Sequence, residues 1–172
     1  MKVVDVDTLN DLTAKAQASA RGRANLNLHP QLADPVQRFL NAIEPGSYIR
    51  PHRHLIPQEK WELFVVLSGA VVVLVLDEGG KVLDRVELNA TGHNKAVEIP
   101  AGAWHTLAAT MAGTVLFEFK QGPYSALDDK DFARWAPSEG ESGSTELAQR
   151  YVTASVGDDL ATSVQPYTGQ FQ

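Results

Sequence analysis

From residue 36 onward the chain alternates short apolar runs with polar breaks. The runs 36–43, 47–54, 61–68, 70–76, 81–88, 96–99, 103–110 and 114–120 are rich in Val, Ile, Leu and Phe, and clusters of Gly, Pro and Asn separate them. Many short strands at close, regular spacing predict an all-β sandwich or barrel. The Ser68-Gly69 and Glu78-Gly79-Gly80 steps read as hairpin-type turns. The run 70–76 is apolar at every position, which predicts a strand covered on both faces. Nothing in this region alternates with helices, so a parallel α/β sheet is disfavoured.

The flanks read differently. Leu9, Leu12, Ala16 and Ala20 recur at helical spacing, with Asp7 or Thr8 placed to cap the start and Gly22 to end it. This predicts one amphipathic helix over 7–21. Residues 21–34 are polar and read as an extended arm or loop. Beyond Tyr124 the segments 128–131 and 137–144 are turn material, and 138–172 carries little periodicity. The expectation is a single domain over 1–172: an N-terminal helix, a barrel over 36–124 and an irregular C-terminal extension over 125–172.

Composition narrows the function classes. A chain of 172 residues suits one domain with a sizeable core, and its 44% apolar and 21% charged residues are those of a globular protein. A formal charge of −6 with no Lys- or Arg-rich run argues against nucleic acid or an anionic membrane as partner. The absence of Cys excludes disulfides, thiolate metal sites and Cys nucleophiles. Acids interrupt the apolar residues of 1–7, unlike a secretory signal, and no run approaches the roughly 18 apolar residues of a membrane helix. A soluble, cytoplasmic protein is expected.

Candidate chemistry lies in Gly46-Ser47-Tyr48-Ile49-Arg50-Pro51-His52-Arg53-His54, followed by Glu62 and Gly69. Residues two apart in a strand share a face, so His52 and His54 point the same way. Glu62 opens the next apolar run, where an antiparallel neighbour would set its carboxylate beside them. In Pro100-Ala101-Gly102-Ala103-Trp104-His105 a turn delivers a third His at the start of another strand. Three imidazoles and one carboxylate suit a divalent transition metal such as Fe, Mn, Ni or Zn, with positions left open to water or substrate. Glu59 is the rival carboxylate, but only Glu62 has a Gly seven residues on. Tyr48 and Arg50 share strand parity with the two His unless Pro51 breaks it, making Tyr48 the candidate catalytic proton-transfer group and Arg50 the candidate substrate-binding group. His29 and His93 lie in polar surroundings and read as solvated. Trp104 and Phe117 read as core. Arg21, Arg23 and Asn27 form a polar arm, and that arm, Lys120 and Tyr124 read as solvated.

The pattern G-x5-H-x-H, E-x6-G, P-x-G-x2-H resembles the paired motifs of the cupin superfamily. Seven residues separate His54 from Glu62, Ala109 stands where the second motif has Asn, and the early Gly is displaced to Gly92. Within that superfamily the chain is similar to the WbuC family of cupin-fold metalloproteins. The likeness lies in 48–54, in Trp61-Glu62-Leu63-Phe64-Val65-Val66-Leu67-Ser68-Gly69, in 98–105 and in Gly122-Pro123-Tyr124. The resemblance implies a cupin conserved β-barrel (double-stranded β-helix, jelly roll), one bound metal ion, a homodimer, and kinship with proteins encoded among surface-polysaccharide genes. Two functions compete. One is a metal-dependent isomerase, epimerase, lyase or oxygenase acting on a small polar, carbohydrate-type molecule. The other is a non-catalytic, metal-anchored binding or sensing module. A tail at 138–172 that docks a partner is a third.

Overall fold

The computed structural model describes residues 1–55, 60–124 and 130–162. Among the described residues ten strands form two antiparallel five-stranded sheets. The first has the order β1 (Arg23–Asn27), β2 (Val36–Ile43), β9 (Thr114–Gln121), β4 (Glu62–Ser68), β7 (Ala96–Ile99). The second has the order β10 (Asp131–Phe132), β3 (His52–Arg53), β8 (Trp104–Ala109), β5 (Ala70–Leu76), β6 (Val82–Asn89). Helix α1 (Val6–Ala18) and helix α2 (Ser144–Thr153) flank them.

Period-two alternation explains the layering. On β2, Leu40 and Ala42 turn outward and pack with Val115 of β9 against Leu12 and Ala16 of α1. On β5, Val71 and Val73 face the other sheet and, beside Leu107 of the neighbouring β8, pack against Phe64 and Leu116. The alternate residues Val72 and Leu74 face outward and are covered by Leu147, Ala148 and Tyr151 of α2. The uniformly apolar β5 is thus buried on both sides, as its sequence predicts.

Inside the barrel the inward positions change character along each strand. On β9 they run Leu116, Glu118, Lys120; on β4, Val66, Phe64, Glu62; on β8, Ala109, Leu107, His105. One end of the interior is therefore packed with aliphatic and aromatic side chains, and the other is buried but polar. That polar end holds the candidate site.

Several expectations need correction. The helix predicted over 7–21 begins at Val6 and stops at Ala18; Asp5, not Asp7 or Thr8, caps it, accepting a bond from the Thr8 N–H at 2.9 Å. Within 47–54 only His52 and Arg53 are strand. The arm read as loop is strand β1, paired along its whole length with β2. Ser68-Gly69 is no hairpin, because β4 and β5 lie in different sheets. It is a crossover, and Gly69 (φ 68°) fits because a Cβ there would stand 2.7 Å from the Thr114 Cα. The tail read as irregular contains α2. Its signal, Leu147, Ala148 and Tyr151 at i, i+1 and i+4, is only one turn long beside polar neighbours. Positions 163–172 of that tail lie outside the described residues.

Tyr151 has no exposed surface and its ring stacks on Tyr48 at 6.1 Å between centroids. Tyr151→Ala is expected to lower unfolding free energy by about 3–5 kcal/mol, the range for emptying a buried aromatic site. Urea denaturation measures it, and a loss below about 1 kcal/mol would show that α2 contributes little to the fold.

Candidate metal centre

The four residues singled out by their spacing converge from both sheets. His52 lies directly opposite His105 in the β3–β8 pair, and His54 follows two residues on. Glu62 comes from the facing sheet, between Ile99 of β7 and Lys120 of β9. It is therefore not the in-sheet neighbour expected from sequence but reaches across the barrel. One potential ligand atom from each residue lies within 4.8 Å of every other, and all four residues are buried. The Glu62 carboxylate is shared, with Oε1 3.0 Å from His54 Nε2 and Oε2 2.9 Å from His105 Nε2.

The hydrogen bonds decide whether a cation fits. The Nδ1 of His52 lies 2.9 Å from the Arg50 carbonyl, and that of His105 lies 2.9 Å from the Ala103 carbonyl. A carbonyl can only accept, so both Nδ1 atoms carry hydrogen, and in a neutral ring Nε2 is left as a lone pair. A lone pair at 2.9 Å from a carboxylate oxygen calls for positive charge between them. Backbone carbonyls that fix the tautomer of ligating imidazoles are a recurring feature of metal sites. Burial, reinforced by Lys130 and His105, pushes the His52 ring well below its ordinary pKa, so it stays in the uncharged, ligating form. Burial pushes Glu62 upward, but in the metal-free protein hydrogen bonds and positive charge from the His105 and His54 rings, available when those rings carry the extra proton in place of an ion, outweigh it and hold the carboxyl well below its ordinary value. An ionised carboxylate and three imidazoles, buried together, suggest a divalent transition metal as their occupant.

A cavity of about 630 Å³ opens on the polar end of the barrel. Its inner wall includes Lys120, whose Nζ is 3.7 Å from Glu62 Oε1, and Phe132, whose ring centroid is 6.0 Å from that of His52. Five cationic side chains line it, Arg21, Arg23, Arg50, Lys120 and Lys130, in a chain whose net charge is −6. Two carboxyls oppose them. Glu139 is already bridged by Arg21 and Arg23, at 2.7 and 2.8 Å. Glu118 is pushed up to about 8, first by burial and then by the nearby Glu62 charge, with Lys120, Lys130 and a bond from Asn41 only partly opposing.

The structure does not bring Tyr48 to this cluster. Its hydroxyl donates to the Pro137 carbonyl at 2.8 Å, and its ring stacks on Tyr151 in the outer layer. The residue after it, Ile49, packs into the barrel interior instead. The alternation then breaks around Pro51, because His52 and His54 face inward although they share Tyr48's parity. Arg50 does line the cavity. Its guanidinium donates to the Ala133 carbonyl at 2.9 Å and to Ser138 Oγ at 3.4 Å and lies 5.4 Å from the Phe132 ring centre. Glu59 lies outside the described residues. His29, read as solvated, is buried in the cavity wall, whereas His93 is exposed. Trp104 is core, with the Arg53 guanidinium 4.4 Å over its ring. Sequence reasoning passed over Glu118 as a site residue, and it read Lys120 and the β1 residues as solvated. The available signal was parity: Glu118 and Lys120 alternate with the outward-facing Val115 and Phe117, and Lys120 pairs with Glu62.

Two facing antiparallel sheets with three His and one Glu buried at the polar end define a cupin β-barrel with a site fit for a metal ion. A family model described as a domain of unknown function (DUF6016) matches residues 4–88, and no curated protein sequence matches the chain. Among solved structures, CapF with the inhibitor 3-isopropenyl-tropolone is 20% identical with a TM-score of 0.55, covering 66% of this chain and 32% of its own. The chain thus spans about a third of that protein. The TT1209 protein from Thermus thermophilus is 20% identical with a TM-score of 0.52, covering 70% of this chain and 97% of its own. A cupin superfamily protein from Desulfitobacterium hafniense is 16% identical, with a TM-score of 0.45 over 58% of this chain and 76% of its own. At such identities the likeness is one of fold. Among the described residues no helix is long and apolar enough to cross a membrane.

Glu118 gives the metal-free protein a distinctive pH response. Its folded-state pKa, about 8, lies above the ordinary 4.5, so between these values the folded chain holds a proton that the unfolded chain has released. Stability contributed by this group therefore falls as pH rises through that window, with a limiting slope of about 1.4 kcal/mol per pH unit. Glu118→Gln removes the term. Relative to wild type, the variant is expected to gain stability steadily from pH 5 to 8 in urea titrations; parallel curves would show that Glu118 ionises normally.

Proposed function

We propose that this protein binds one divalent transition-metal ion, such as Fe, Mn, Ni or Zn, on His52, His54, Glu62 and His105. In this reading it is a metal-dependent enzyme that acts on a small, polar, carbohydrate-type molecule. The observation that carries the reading is the cation-lined cavity set against the buried cluster. A bound ion would supply Lewis acidity toward a substrate carbonyl or hydroxyl. The chain's own groups supply the rest. Lys120, buried and 3.7 Å from Glu62, offers a cation where negative charge would develop. Glu118, pushed up first by its burial, is a carboxyl that can hold a proton and deliver it to a substrate oxygen or carbon. Glu118 thus takes the acid–base role that the sequence assigned to Tyr48. Arg50, on the cavity wall, is the substrate-binding candidate. This favours proton-transfer chemistry of the isomerase, epimerase or lyase kind. The resemblance to the WbuC family supports a link with surface-polysaccharide metabolism. It also supports a homodimer, which light scattering would report as twice the chain mass.

The metal reading has a direct test. Elemental analysis after reconstitution should find about one ion per chain, and Glu62→Gln should weaken metal affinity by at least the roughly 10–100-fold typical of changes around a metal site. Glu59→Gln should leave affinity unchanged. Well under half an equivalent in wild type, or a loss confined to Glu59→Gln, would overturn the ligand assignment.

A further inference from the structure

The N-terminal strand that covers the cavity is polar on one face only. Asn25, Asn27 and His29 all line the cavity; Ala24, just before them, borders it too and packs against the Leu12 and Ala16 cluster of α1. The Asn25 amide donates to Asn27 Oδ1 at 3.0 Å. Each amide keeps further capacity, since Asn offers two N–H donors and two acceptor sites. A paired set of amide donors and acceptors matches hydroxyl groups, which both donate and accept.

His29 adds an independent observation. It is only 6% exposed. The Arg38 carbonyl accepts from the Leu28 and His29 backbone N–H groups, and His29 Nδ1 lies 3.1 Å from the Arg38 N–H and 3.0 Å from the Arg38 carbonyl oxygen. With Nδ1 engaged by the Arg38 backbone in either tautomer, the other ring nitrogen, Nε2, is a buried atom with no hydrogen-bond partner. Leaving a buried polar atom unmatched is costly, and native structures seldom do so without reason. A ligand hydroxyl in the cavity, which both donates and accepts, would satisfy it. On the Arg50 side the cavity is cationic, and the buried Arg50 Nε likewise has no partner.

We propose that the β1 wall, through Asn25, Asn27 and the Nε2 of His29, is the specificity subsite for a polyol carrying an oxyanion, with its hydroxyls on that wall and its carboxylate or phosphate at Arg50. This deepens the metal-dependent reading given above and rests on it. The amides select a polyhydroxylated ligand over a bare anion, and the positive charge of Arg50, with its unpartnered Nε–H, selects an anionic ligand over a neutral sugar. The cavity volume of about 630 Å³ accommodates a ligand larger than a single small acid.

The test titrates the zinc-loaded full chain by calorimetry with galacturonate, glucose 6-phosphate, glucose and acetate, after zinc content has been measured. Galacturonate or glucose 6-phosphate should bind at least tenfold more tightly than glucose and than acetate, and whichever binds tighter identifies the oxyanion. Asn25→Ala with Asn27→Ala, both at exposed positions, should weaken that ligand at least tenfold and leave zinc content unchanged. Arg50→Gln should bring its affinity down to that of glucose. His29→Gln, which keeps a polar amide able to donate or accept, should weaken it less than His29→Phe. Equal affinity for glucose or acetate, no binding by a zinc-replete protein, or unchanged affinity in the double variant would overturn the subsite and leave the metal reading standing. Failure to take up zinc or any other transition metal would remove both.

Discussion

The fold is organised around one buried carboxylate. Glu62 is almost wholly removed from water, and it is held there ionised between two imidazoles. An isolated charge in that position would cost several kcal/mol or neutralise itself. The His rings and Lys120 make it tolerable; His105 comes from β8, Lys120 from β9, and His54 from the residue that follows β3. The β3–β8 pairing sets His52 against His105, the β4–β9 pairing sets Glu62 against Lys120, and closure of one sheet over the other joins the two pairs. Slipping any of these pairings by one residue would turn a ligand out of the barrel.

The same requirement accounts for the polarity gradient within the barrel. A charged cluster cannot share its surroundings with a tightly packed aliphatic core, so the two occupy opposite ends of the same inward-facing rows. The outer layers under α1 and α2 supply apolar burial that the polar end of the interior does not. This explains why so much of the core lies outside the space between the sheets.

The parts of this architecture that were legible in the sequence are those fixed by local pattern. The strands 36–43, 70–76 and 96–99 stand where alternation or uniform apolarity placed them. His52, His54, Glu62 and His105 gather because their motif spacing encodes strand positions. What escaped notice depends on pairing between distant segments. Strand β1 is polar on its cavity face and looked like a solvated arm until β2 is seen beside it. Tyr48 was misplaced because a proline shifts which positions face inward. His29 looked solvated because its partners come from a strand nine residues on.

Arg23, which opens β1, and Arg21 just before it are bridged by Glu139, which follows the β10 segment. Residues more than a hundred positions apart in the chain are thereby clasped beside the cavity. Glu139 is more than a third exposed, so dissolved salt reaches this clasp and weakens it. Salt also screens the positive field that would draw an anion inward. Ionic strength therefore acts on this wall in two opposing ways, loosening the rim while fading the attraction. Traffic through the opening is set by the balance between them and need not change monotonically with salt.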